Sequence, residues 1–286
     1  MLSKRLLGQI YLTLVPFLTA ACGFGIGHIP YSIYIPVWLV NVLLMSLSAW
    51  TLGVNNLKSG NEDRKDVTKI GVMMIIPWGL FSIFFGMGPP PATVTGWLDT
   101  AAEQQTRYYV LIIGGVVAAA GFALLAQYLT KAGERFYGLL GRVLITIALP
   151  LFVLNMLYWG QFLTEAFRGF TDLSTTNRPA WYIAIRSTFY HIAIVEVALL
   201  YLATALFVAG LHAVRIFDTT ACRIYIVINI VFTLLSVLSM DLPEPLGTIA
   251  YITSIPAIPF IMPYLIGVNL IRRAGDLMPE RSLMAR

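Results

Sequence analysis

The chain reads as an all-α polytopic membrane protein of eight transmembrane helices, built as two tandem four-helix repeats of parallel topology with both termini cytoplasmic. Composition, the placing of basic residues and an internal echo carry that reading. Of 286 residues, 58% are hydrophobic and only 12% charged, and mean hydropathy is +0.78. Soluble domains carry charge on about a quarter of their residues. The unit to count is therefore the membrane span, about twenty apolar residues per helix.

Eight such spans follow in order: approximately Leu6–His28, Tyr31–Asn55, Ile70–Gly88, Tyr108–Thr130, Leu139–Leu163, Thr188–His212, Arg223–Met240 and Gly247–Leu270. None alternates apolar with polar residues, as barrel strands do. Basic residues mark the ends. One set of ends carries Lys4, Arg5, Lys58, Arg64, Lys65, Lys69, Lys131, Arg135, Arg142, Arg215, Arg223, Arg272, Arg273, Arg281 and Arg286; the other carries Arg107, Arg168, Arg178 and Arg186. Lys and Arg are retained on the cytoplasmic side, which puts both termini there. The net charge of +5 is then topology together with contact to anionic lipid, and does not point to nucleic acid.

The second half echoes the first in four places. Leu6-Leu7-Gly8-Gln9-Ile10, with Thr13 and Pro16, matches Leu139-Leu140-Gly141-Arg142-Val143, with Thr146 and Pro150. Gly53 to Lys58 matches Gly210 to Arg215, Phe85 to Pro91 matches Leu238 to Pro245, and Gln127 to Glu134 matches Asn269 to Asp276. A tandem duplication follows, with residues 1–133 and 134–286 as repeats packed into one membrane domain. Four spans per half is even, so the copies enter from the same side and relate by an axis along the membrane normal.

Met1 to Cys22 has the outline of a bacterial lipoprotein signal, but Thr19 stands where cleavage prefers an aliphatic residue, and the segment reads as the first span. Cys22 and Cys222 fall at opposite ends of spans, so no disulfide is expected. The segment Leu57 to Asp66 reads as a solvated connection. Pro89–Arg107 and Thr164–Ser187 are longer than packing requires and suit lids of an outer vestibule. Trp38, Trp97, Trp159 and Trp181 suit an aromatic belt at that face.

Polar residues at membrane depth are costly and mark pathways, proton sites or interior contacts. By the span assignment they gather in the second half: Asn155, Glu196, His191 and Asn229 within spans, with Glu165, Arg168 and Arg186 near span ends. Glu196 lies about a third of the way into the sixth span. A protonated carboxyl bonded to Asn155 or Asn229 is the structural alternative to a pathway role. His191 precedes Glu196 by five residues, so the two point about 140° apart; Arg186 precedes it by ten and returns to within roughly 80°. Glu196, His191, Arg186, Asn155 and Asn229 are thus the candidate ligand or proton pathway, with no catalytic residue and no metal ligand assigned. His28 and His191 lie near one face and His212 near the other, which defeats a three-histidine metal site; a bis-histidine haem between His28 and His191 is a remote alternative.

Pro256, Pro259 and Pro263 fall in the eighth span. Proline removes a donor and frees a carbonyl four residues earlier, so this span should bend or break. Gly23, Gly25 and Gly27, and Gly114, Gly115 and Gly121, read as close helix contacts. There is no phosphate loop, no His-Glu-x-x-His and no retinal-type lysine in the last spans.

Three functions fit these features: a small-solute or ion transporter or channel with its site in the outward half of the second repeat; a non-catalytic membrane subunit or sensor of a larger complex; and an intramembrane enzyme acting on a lipid or quinone through His191, Glu196 and Arg186. The lack of a complete catalytic constellation weighs against the enzyme, and no cofactor is named by the residues. The expected partners are the lipid bilayer, a small solute or ion, and a membrane protein or second copy of the chain. The expected location is a bacterial inner membrane.

Overall fold

The computed structural model describes residues 3–170, 178–238 and 242–277. Residues 171–177 of the expected Thr164–Ser187 loop, the echo at Ser239–Asp241 and the terminal Arg281 and Arg286 lie outside the described residues. Within them the chain is all-helical, with no strand. The helices are α1 (Lys4–Gly25), α2 (Tyr31–Leu57), α3 (Glu62–Phe81), α4 (Phe84–Met87), α5 (Val94–Asp99), α6 (Ala101–Lys131), α7 (Phe136–Leu157), α8 (Leu163–Gly169), α9 (Ala180–Ala213), α10 (Thr219–Leu238), α11 (Leu246–Ser254) and α12 (Ile261–Ala274). A π turn, Tyr158–Phe162, joins α7 to α8.

Seven of these segments are long and apolar enough to cross a bilayer: α1, α2, α3 with α4, α6, α7 through α8, α9 and α10. Among the described residues, α11 and the segment Ile258–Ala274 are apolar enough only when taken together, and they meet at 79°, as a broken span or a re-entrant loop does. Large apolar side chains such as Leu39, Leu43, Trp50, Ile113, Val227 and Leu234 are exposed along these helices, as suits a surface that faces lipid. The chain is an integral membrane protein.

Helix ends follow local chemistry. Ser3 accepts a hydrogen bond from Leu6 N and opens α1. Asn61 accepts from the amides of Asp63 and Arg64, and Glu62 and Asp63 occupy the first turn of α3, where the helix dipole favours acid. The charged stretch Leu57 to Asp66, expected as a solvated connection, is exposed or half-exposed, and its second half starts a helix. The Pro89–Arg107 stretch also differs from expectation, since it holds α5 and the first two turns of α6, which begins at Ala101 rather than near Tyr108. Trp97 is accordingly a core residue, 4% exposed, donating to Thr164 Oγ1 at 3.0 Å. Trp181 is exposed.

Helix α3 sits between α6 and α12, while α9 packs between α7 and α10. The crossing of α3 and α12 is made close by Gly71 and Gly267, whose backbones leave no room for a side chain between them. From α2, Asn56 Nδ2 donates to Ile271 O of α12 at 3.0 Å. Of the glycines expected at contacts, Gly114, Gly115 and Gly121 meet Phe81, Phe152 and Met74, and Gly23 meets the Phe84 carbonyl. Gly25 and Gly27 have open space beside them, and Gly27 adopts φ +80° where α1 ends.

Proline leaves its marks where the physics requires. Pro16 in α1 cannot donate to the Leu12 carbonyl, which instead accepts from the buried Tyr264 hydroxyl of α12 at 2.7 Å. At the break, the Thr253 carbonyl accepts from Tyr201 of α9 at 2.9 Å. At the Lys131 end of the bundle, Lys131 pairs with Asp63 and Asp66 at 3.3 and 3.5 Å. Arg273 there reaches the Ile216 carbonyl and Asp218.

Candidate functional site

Glu196 and Asn155 meet in the interior. The Asn155 amide donates to Glu196 Oε1 at 2.9 Å, and the two residues are 3% and 1% exposed. Their position follows from the packing of α7 against α9, which turns the polar side chain of each apolar helix inward. Glu196 Oε2 and Asn155 Oδ1 have no other hydrogen-bond partner. An ionised carboxylate here would carry a charge at membrane depth with one neutral donor beside it, which is costly. A neutral carboxylic acid supplies a donor that the Asn155 oxygen lacks. The arrangement can hold a proton.

Glu196 also lines a small crevice with Phe122, Ile145, Phe152, Pro256 and Phe260, about 30 Å³ in volume, enough for one water molecule. Pro256 and Pro259 of the broken span form one side of it. One turn beyond Asn155 the helix widens into the π turn, where Tyr158 stacks on Phe189 of α9 with centroids 4.3 Å apart. The buried Tyr158 hydroxyl has no hydrogen-bond partner. Single π turns in long helices occur often at functional sites.

The remaining sequence candidates lie elsewhere. Asn229 is fully buried in α10, but its amide donates to the Tyr225 carbonyl of its own helix at 2.7 Å, and its oxygen has no partner. His191 and Arg186 are on exposed faces of α9. His191 Nδ1 is 2.8 Å from the Ser187 carbonyl one turn earlier. It lines an open groove with Leu151, Ser187, Thr188 and Ile192. Of the five, the structure brings together Glu196 and Asn155.

A second polar group, not foreseen from the sequence, sits in the first half. Glu103 and Arg107 are one turn apart on α6 and only 4% and 7% exposed. Glu103 Oε2 lies 3.0 Å from His28 Nε2 and accepts from the Tyr31 hydroxyl at 2.9 Å; Oε1 is 3.8 Å from Arg107 Nη2. Arg107 donates to the carbonyls of Gly88 at 2.8 Å and Met87 at 3.2 Å, and its guanidinium lies 5.7 Å from the centre of the Phe84 ring. Those carbonyls are free because Gly88, at φ +62°, ends α4 against the Gly27–His28 backbone. The sequence expectation set Arg107 in a loop and took the first half as nearly free of ionisable groups at depth. The start of α6 at Ala101 corrects that, by carrying both residues into the bundle. Their i, i+4 spacing was the available signal.

Arg107 borders a larger crevice of about 130 Å³, walled by Gly23 of α1, Trp78 and Phe81 of α3, Tyr108 of α6 and the break Ile255–Ile258. Pro256 faces both crevices. Among the described residues no group of three or more His, Cys, Asp or Glu is placed to hold a metal ion. The chain matches no protein-family model, no curated protein and no solved structure.

Proposed function

We propose that the chain carries a small solute or ion across the membrane, with Glu196 as its proton-bearing group. The observation that carries this reading is a buried acid, tied to one asparagine, lining a crevice whose other wall is the broken eighth span. Broken helices at membrane depth are how many transporters present backbone to a solute, and buried carboxyls are how they carry protons. Tyr201, bonded to the Thr253 carbonyl beside the break, links the helix of Glu196 to the segment that would move. His191 and Arg186, further along α9, are proposed to receive the solute or proton on the outward side, and Asn229 to support the pathway from α10.

The halves 1–133 and 134–286 are proposed as tandem repeats of parallel topology, with cytoplasmic termini in a bacterial inner membrane. The four echoes and the uneven distribution of basic residues support this.

The test is proton movement into liposomes that contain the purified chain and a trapped pH-sensitive dye, under an imposed pH gradient with the membrane potential clamped. Wild type should acidify the lumen faster than empty vesicles, and Glu196→Gln should return the rate to theirs while melting at a similar temperature. An unchanged rate in Glu196→Gln removes this residue from the pathway.

A further inference from the structure

We propose that the crevice beside Arg107 is a binding site for a neutral, ring-sized molecule bearing a carbonyl oxygen, the chemistry of a quinone head or an aryl ketone. This does not depend on Glu196 carrying a proton.

Size comes first. A volume of about 130 Å³ is close to that of dry engineered cavities that take up benzene, about 150 Å³. The walls suit a flat ring: Trp78, Phe81, Phe84 and Tyr108 are among the lining residues, and Pro89 and Pro90 stand at an exposed rim. A site with mainly apolar walls and a few convergent polar groups is the usual form of a small-molecule pocket.

Polarity comes second. Arg107 is the one Asp, Glu, Lys, Arg or His among the residues that line the crevice. A guanidinium has five N–H donors; the carbonyls of Gly88 and Met87 take two, and Glu103 faces a third. The guanidinium therefore has more N–H donors than the contacts named here use, and Arg107 is the residue that brings them to the crevice.

Charge decides the class. Glu103, more buried than Arg107, lies 3.8 Å from it, so the guanidinium already faces one carboxyl. A carboxylate ligand would put a second anion beside one guanidinium in an apolar wall, where an uncompensated charge is expensive. A carbonyl oxygen takes the spare donors and adds no charge. The break Ile255–Ile258 forms part of the wall, so occupancy here bears on the same segment that borders Glu196.

The experiment is equilibrium dialysis of three probes against the full chain in lipid nanodiscs, corrected with empty nanodiscs. Tetramethyl-1,4-benzoquinone carries the ring and the carbonyls and has no free position for thiol addition. 1,2,4,5-Tetramethylbenzene carries the ring alone, and 2,4,6-trimethylbenzoate carries an anion. The quinone should bind one to one and at least tenfold more tightly than either analogue. Ala20→Phe, which fills the crevice from α1, should weaken it at least tenfold, and Arg107→Gln at least fivefold. Ala257→Leu fills the crevice from the break and serves if Ala20→Phe does not fold. No quinone binding to the folded chain overturns the proposal. So does binding that survives the filling variants, equal affinity for the oxygen-free ring, or tighter binding of the benzoate.

Discussion

Gly71 of α3 and Gly267 of α12 face each other across 196 positions of sequence so closely that a β-carbon on either would lie 2.7 Å from the other's carbonyl oxygen. Because the obstructing atoms are backbone, neither helix can yield by turning a rotamer. Gly71→Ala and Gly267→Ala should each force the helices apart and lower stability by about 1–3 kcal/mol, the usual cost of overpacking. Gly25→Ala, beside open space, should fall within about 0.5 kcal/mol of wild type. Unfolding in mixed micelles of rising denaturing-detergent fraction measures all three.

The Leu12 carbonyl, freed by Pro16 and held by Tyr264, predicts a rescue. Tyr264→Phe removes the donor and leaves a buried carbonyl unmet, at a cost of about 1–3 kcal/mol. Pro16→Ala restores an amide N–H four residues after Leu12. In the Pro16→Ala background, Tyr264→Phe should therefore cost less than half as much. Equal costs in both backgrounds, measured by the same unfolding assay, would show that the hydroxyl matters for another reason.

Asn155 and Glu196 should be energetically coupled. Hydrogen bonds between membrane helices measured by double-mutant cycles average about 0.6 kcal/mol and reach about 1.7. Asn155→Ala, Glu196→Ala and the double variant should give a coupling in the upper part of that range, because each residue lacks other partners. Glu196→Gln should keep most of the stability, since an amide bonds Asn155 as well as an acid does. A coupling near zero would mean that the 2.9 Å contact contributes nothing to the fold.

Asp218 predicts a pH dependence. It lies in the turn between α9 and α10, accepts from Ala221 N at 2.8 Å and pairs with Arg273. These contacts hold its carboxyl below the ordinary aspartate range, the backbone hydrogen bond first and Arg273 second. A depressed carboxyl stabilises the fold at pH values above its unfolded pKa of about 3.9, and that contribution is lost as pH falls through the folded value. Asp218→Asn keeps an oxygen for the cap of α10 but cannot ionise. Its melting temperature should match wild type more closely as pH is lowered from 5 toward 3, roughly the span around that pKa. A difference that stays constant over that range would remove the charge from the explanation.

The spans were legible because each is a run of apolar residues, a local property that needs no knowledge of partners. The bend between α11 and α12 was legible for the same kind of reason, since Pro256 and Pro259 remove donors wherever the helix packs. Glu196 and Asn155 stood out as polar residues inside such runs. Glu103 and Arg107 did not, because the sequence from Thr100 to Arg107 is polar enough to pass for a loop. Its buried face meets His28 through Glu103 and the Met87 and Gly88 carbonyls through Arg107, contacts with residues far off in sequence. The Gly71–Gly267 crossing and the Tyr264–Leu12 bond were out of reach for another reason: they are relations between distant residues, and neither partner's neighbourhood hints at the other.

Pro256 is a party wall. One face borders the crevice of Glu196 and the other the crevice of Arg107, and the corner of 79° leaves α11 attached to α12 through that short stretch alone. The following helix, α12, is packed on α3 at the Gly71–Gly267 crossing and bonded to α1 through Tyr264. A substitution at Pro256 therefore reaches both crevices at once.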